Sequence, residues 1–174
     1  MAPTAFLHGD RVELHPMEPD DATFVQSIRN DPQIRAGIGG STPMTAADHE
    51  NRLDDRGDDV FDFVVRVDGD PVGTATLWKQ DVPWGYAEIG YAIHPDHWNQ
   101  GYATEAVECL VRYGFREQRY NKIGADAYET NPASNRVLEK AGFEREGVRR
   151  SHAFVEGEYV DVHEYGLLAD EWRE

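Results

Sequence analysis

Over 11–16 polar and apolar residues alternate, with Val12 and Leu14 on one face and Arg11, Glu13 and His15 on the other. That period of two predicts a half-buried strand. The pattern then changes. Asp20 and Asp21 open a helix through about Arg29, with Phe24, Val25 and Ile28 apolar. Asp31-Pro32 breaks it, and the stretch to Thr42, with Gly37, Gly39 and Gly40, predicts a mobile loop. A polar helix is expected over 45–56, because Thr45 and Asp48 form a capping pair. Strands follow over 61–67 and 72–78, joined by the turn Asp68-Gly69-Asp70-Pro71. A connection over 81–85 leads to a strand over 86–93.

Beyond Gly101 the period becomes helical. Ala103, Ala106, Val107, Leu110, Val111 and Gly114 fall on one face at i, i+3, i+4 and i+7. A strand over 122–128 precedes a second core helix. It starts at Asn131-Pro132, turns Ala133, Val137, Leu138 and Ala141 inward and stops at Gly142. Segments 143–155 and 158–168 close the chain as a hairpin around Glu156-Gly157. The order β-α-α-β-β-β-α-β-α-β-β predicts an α/β (α+β) sandwich, a mixed sheet with helices on both faces. Ligands bind in the crevice that such helix-linked strands leave at their ends.

The chain has 174 residues, 40% hydrophobic and 11% aromatic, enough for one domain with a substantial core. No apolar run approaches a membrane span, and the first residues show neither part of a secretory leader, so the expected location is the cytoplasm. The single cysteine, Cys109, lies between apolar helix positions and reads as a buried structural thiol. Charge changes the picture more. Thirty-three acids face 17 bases, a net charge of −16 spread along the chain, and only Lys79, Lys122 and Lys140 are lysines. Such a surface repels nucleic acid. It reads either as adaptation to high internal salt or as an acidic docking face for cationic substrates. Low lysine and even spread point to the first, a halophilic type of acidic surface.

The most informative segment is His97-Trp98-Asn99-Gln100-Gly101-Tyr102-Ala103-Thr104-Glu105-Ala106. A strand, a short turn with one glycine and a helix N-terminus can hold a diphosphate on free N–H groups. The same pattern also serves as an ordinary strand-to-helix connection.

With Glu88-Ile89-Gly90-Tyr91 and Asn131-Pro132-Ala133-Ser134-Asn135 through Lys140-Ala141-Gly142-Phe143, this segment resembles the GNAT acyltransferases, and within them the RimJ/RimL-type N-acetyltransferases. The likeness runs in order from Arg11 to Trp172 and implies a single GNAT domain over 1–174. It implies acetyl-CoA-dependent transfer of acetyl to a primary amine. The expected acceptor is a protein N-terminal α-amine of ribosomal-protein type. The alternatives are a small amine such as a polyamine or an antibiotic, or a non-catalytic acyl-CoA-binding module. Monomer and homodimer both remain open, and neither nucleic acid nor membrane is an expected partner.

The resemblance places the cofactor on Trp98, Asn99, Gln100, Gly101, Tyr102, Ala103 and Thr104. Its peptide-like arm would lie along Tyr91 to Ile93, between strands that splay at 86–93 and 122–128, with Asn131 and Asn135 alongside. There are departures. Trp98 stands where many relatives carry Gln or Arg, Leu138 where many carry a tyrosine acid, and the glutamate base of some RimL-like enzymes falls near Ala153.

The catalytic candidates are therefore Glu88 as base, directly or through a water, and Ser134 near a helix N-terminus as partner of the departing thiolate. Each has a plainer reading, as a strand-face charge and as a first-turn serine. His94 and His152 are weaker base candidates. His94 and His97 lack a third ligand, so no metal is expected. Asn131 before Pro132 is an ideal N-cap as well as a cofactor contact, and Asn135 faces either cofactor or water. Trp84, Tyr86, Trp98 and Tyr159 either line an acceptor pocket or belong to the core. Asp161 either orients a cationic acceptor or pairs with Arg149 or Arg150.

Overall fold

In the computed structural model, which describes residues 4–80 and 83–173, one face of the long helix Tyr102–Arg116 carries seven buried residues: Ala106, Val107, Cys109, Leu110, Val111, Tyr113 and Gly114. That face needs an apolar partner, and the sheet supplies it with Leu14, Val65, Leu77, Ile89 and Ile123. The strands are β1 (Leu7–His8), β2 (Val12–Pro16), β3 (Val60–Val67), β4 (Asp70–Lys79), β5 (Tyr86–Ile93), β6 (Lys122–Tyr128), β7 (Glu144–Val155) and β8 (Glu158–Leu168). They form one sheet in the order β1-β2-β3-β4-β5-β6-β8-β7. All pairs are antiparallel except β5 with β6. Asp81 and Val82, within the expected 81–85 connection, lie outside the described residues.

The helices are α1 (Ala22–Asn30), α2 (Pro32–Ile38), α3 (Ala46–Asp54), α4 (Tyr102–Arg116) and α5 (Pro132–Lys140). Helices α4 and α5 cover one face of the sheet, and α1 to α3 lie on the other, where Met17, Val25 and Val64 form a smaller core with Phe24, Met44 and Leu53. Thr45 caps α3 as expected: its hydroxyl accepts from the Asp48 amide, and the Asp48 carboxylate accepts from the Thr45 amide.

Three expectations change. The segment read as a loop after Asp31-Pro32 is helical to Ile38. Asp31 acts as an N-cap that accepts from the Gln33 and Ile34 amides, Pro32 takes the first turn where no N–H is needed, and buried Ile34 anchors the helix. Asp20 and Asp21 belong to a 3-10 turn, Pro19–Asp21, that precedes α1. Ala133 faces out of α5 into the cleft described below, while Leu138 is fully buried.

Candidate active site

Strands β5 and β6 pair only where Tyr86, Ala87 and Glu88 lie beside Lys122, Ile123 and Gly124. Beyond Glu88 they diverge, so the β6-facing edge of β5 from Ile89 to Ile93 has no strand partner. The opening is a cleft of about 950 Å3, within the size range of small-molecule sites. Its walls hold β5, the 97–104 turn, the first turns of α5, the end of α2 and the β7–β8 hairpin.

Gly101 is the N-cap of α4 at φ 84° and ψ 3°, with no side chain to satisfy the first N–H groups of the helix. Those donors and the positive end of a 15-residue helix are left for an anion. Arg11 lies beside the turn: its guanidinium is 5.1 Å above the Tyr102 ring, and a Cβ on Gly101 would meet its Nη2 at 3.0 Å. Glu105 holds Arg11 there, accepting from its Nε at 2.6 Å and from its backbone amide at 2.9 Å. The turn and the unpaired edge of β5 together suit an elongated ligand with an anionic group near one end and an amide-bearing arm.

Glu88 lies at the fork. Tyr86 donates its phenol hydrogen to Glu88 Oε1 at 3.1 Å. Burial first, then the Glu88 charge, holds that phenol protonated well above the usual tyrosine range. Gly124 opposite leaves the room that the Tyr86 ring needs. Trp78 pairs across β4 with Glu88 and lines the same cleft, as does Asp126. Arg149 pairs with Asp126 and with Glu164 Oε1 at 3.2 Å. Glu156 and Glu158 add two acids from the hairpin.

Across the cleft, Asn131 caps α5 by accepting from the Ser134 amide at 3.1 Å. Ser134 Oγ lies 2.8 Å from the Tyr91 hydroxyl. Trp98 donates from its indole nitrogen to the Ile93 carbonyl at 2.7 Å, which fastens the turn to the end of β5.

The structure therefore gathers Glu88, Tyr91, Ile93, the residues from Trp98 to Thr104, Asn131 and Ser134 around one cleft. Asn135 is the exception among the expected cofactor contacts. Its Nδ2 donates to the Tyr128 and Asn131 carbonyls at 3.0 and 2.8 Å, and its Oδ1 accepts from Tyr165 Oη and His163 Nδ1, both at 2.7 Å. The amide is thereby committed to bonds within the fold. Replacing Asn135 with Ala leaves four polar groups without this partner, and a loss of about 2 kcal/mol in urea unfolding is expected.

Asp161 does not meet Arg149 or Arg150; it accepts from the Ser151 amide at 2.8 Å and stabilises a bulge in β7. Trp84 and Tyr159 lie exposed outside the cleft, the Tyr159 ring tilted at 57° against Phe154 with centroids 5.0 Å apart. His152 sits near Arg149, and His94 accepts from the Asp96 amide. Among the described residues no group of three or more His, Cys, Asp or Glu is placed to hold a metal ion, and no helix is long and apolar enough to cross a membrane. Trp78, Asp126 and Arg11 went unread in the sequence, because their importance arises from strands and turns distant in the chain.

Comparison with known proteins bears on the family and the fold. The family described as an acetyltransferase (GNAT) domain matches residues 11–144. The uncharacterized N-acetyltransferase p20 of Bacillus licheniformis is 29% identical over 174 residues, spanning 95% of this chain and 97% of that protein. The spermidine N(1)-acetyltransferase of Escherichia coli (strain K12) is 26% identical over 153 residues, 85% of this chain and 81% of that protein. A solved spermidine N-acetyltransferase from Vibrio cholerae, in complex with CoA and spermine, shares the fold at a TM-score of 0.85 and 22% identity, covering 92% of this chain and 97% of that one.

Proposed function

We propose that this chain, which belongs to the GNAT acetyltransferase family, acetylates a primary amine bound as a cation beside Glu88. It is an N-acetyltransferase, and acetyl-CoA is its acyl donor. The observation that carries the acceptor reading is the fork itself: a carboxylate at the divergence of β5 and β6, in one cleft with the uncapped N-terminus of α4. When bound, the cofactor supplies an activated acetyl thioester. The Tyr102, Ala103 and Thr104 amides and Arg11 suit its diphosphate, and the free edge of β5 suits its arm.

Attack needs a neutral amine. Glu88 takes a proton from the ammonium, directly or through one water, while Tyr86 holds its carboxylate in place. Ser134 donates its hydroxyl hydrogen to the departing sulfur. Two protons thus leave nitrogen: Glu88 passes the first to solvent, and the second, lost as the carbon–nitrogen bond forms, replaces through solvent the hydrogen that Ser134 gives to sulfur, so the products are the amide, the thiol and one released proton. Ser134→Ala is expected to lower kcat about tenfold at unchanged KM for acetyl-CoA, read by thiol release.

For the acceptor we infer a small polycationic amine. Glu88, Glu156 and Glu158 line the cleft beside Asp126, which Arg149 already neutralises, and one α-ammonium would neutralise only one of the three. The Escherichia coli relative's name points the same way. A protein N-terminal α-amine is the second reading, favoured by the exposed Phe154–Tyr159 pair on the hairpin whose tip lines the cleft. The test is thiol release at saturating acetyl-CoA with spermidine, spermine, a monoamine and peptides with free N-termini. Higher kcat/KM for the polyamines supports the first reading, and preference for peptides supports the second. No turnover of any amine removes the assignment to this chain.

A further inference from the structure

Resting on the acetyl-transfer reading above, we propose that Tyr91 is a positioning residue that acts through Ser134: its phenol donates to Ser134 Oγ and leaves the serine hydrogen free to point into the cleft. Tyr91 and Ser134 come from elements 43 residues apart, β5 and α5, and meet only because α5 packs over the opening between the diverging strands. The phenol has one hydrogen and two acceptors within reach, Ser134 Oγ at 2.8 Å and the Ser134 carbonyl at 3.3 Å. The carbonyl belongs to the first turns of α5 and takes a helical bond in any case. The shorter contact to Oγ is the better place for the hydrogen.

A serine hydroxyl that accepts from a tyrosine keeps one hydrogen to give away. A freely rotating hydroxyl would point at the sulfur only part of the time, so a fixed acceptor geometry raises the productive fraction. Burial first pushes the Tyr91 phenol up to about 12, so it stays protonated and remains a donor through the neutral range. Leu138, at the position where the resemblance leads one to expect a tyrosine, is buried in the core. A tyrosine from the facing strand instead sets the orientation of a serine.

Tyr91→Phe keeps the ring and removes only the hydroxyl. The expected result is a fall in kcat of about tenfold, with KM for acetyl-CoA within twofold of the parent. In a Ser134→Ala background the same change should have no further effect, because the group it positions is gone. An unchanged kcat in Tyr91→Phe overturns the inference. So does an equal loss in both backgrounds, which would mark a role independent of Ser134. A raised KM with kcat intact also overturns it and leaves Tyr91 as a wall of the arm's channel. Turnover by the unmodified protein is measured alongside: if it acetylates no amine, the function reading fails and the inference with it, whereas an active parent with an indifferent Tyr91→Phe sinks the inference alone.

Discussion

Glu88→Gln is expected to lower kcat/KM for the amine by about two to three orders of magnitude, the range for removal of a positioned general base. The substitution is nearly isosteric. The glutamine oxygen still accepts from Tyr86, so the fork keeps its hydrogen bond and its packing. Only the charge and the basic site are lost. Affinity for acetyl-CoA should stay within twofold, because the α4 turn and the β5 edge that suit it are untouched. The pH profile separates a base from a spectator charge. A primary amine titrates at about 10, so raising pH supplies the neutral nucleophile from solution and the deficit should narrow. A change of less than about threefold at every pH would show that the proton leaves by another route. Asp126 is then the next group to test, since it lines the same cleft.

The second large effect lies at the other part of the cleft. Gly101→Val is expected to weaken acetyl-CoA binding by tenfold or more, measured by calorimetry, and to abolish the thermal stabilisation the cofactor gives. A β-branched side chain is a steric outlier at φ 84°. Relief of that strain turns the peptide and disperses the Tyr102, Ala103 and Thr104 amides that converge there. The new side chain also presses on the Arg11 guanidinium, which a Cβ alone would meet at 3.0 Å. The strain itself costs about 1–3 kcal/mol, too little to unfold a well-packed domain, so the loss of affinity can be read on folded protein. Undiminished affinity would mean that the diphosphate does not use this turn. The contrast with Glu88→Gln matters: one variant should lose chemistry and keep the cofactor, the other should lose the cofactor.

Most strands and helices were legible because each carries its own period. Strand β5 ends at Tyr86 and Ile93 and β6 at Lys122 and Tyr128, as the patterning predicts, and α4 buries the stripe expected of it except at Ala103, which is half-buried at the cleft. The loop expected after Asp31 failed for a local reason. Asp-Pro was read as a breaker, although the same pair is an N-cap followed by a first-turn proline. The glycines at 37, 39 and 40 then suggested freedom, but Gly37 lies against Asn131, where a Cβ would meet its Nδ2 at 2.7 Å. Its smallness serves a close approach between α2 and the start of α5.

Within the site, Asn131 was legible as a cap because capping is a short-range bond to the Ser134 amide. Asn135 was not, since three of its four side-chain partners, at Tyr128, His163 and Tyr165, sit on β6 and β8. Asp161 was read either as orienting a cationic acceptor or as pairing with Arg149 or Arg150, yet it accepts from the Ser151 amide at the bulge in β7, and Arg149 pairs with Asp126.

What the sequence determined by itself was most of the elements and the family. Periodicity, capping and turn formation act over a few residues, so one strand of text contains them. Only the tertiary structure decided where the sheet opens. Pairing of β5 with β6 stops at Glu88 and Gly124, and that single event places Glu88 at the fork, frees the edge of β5 and brings Tyr91 to Ser134. The reason is physical. A sheet's register and its divergence follow from packing on both faces at once, with α4 and α5 on one side and α1 to α3 on the other, and no local pattern carries that sum.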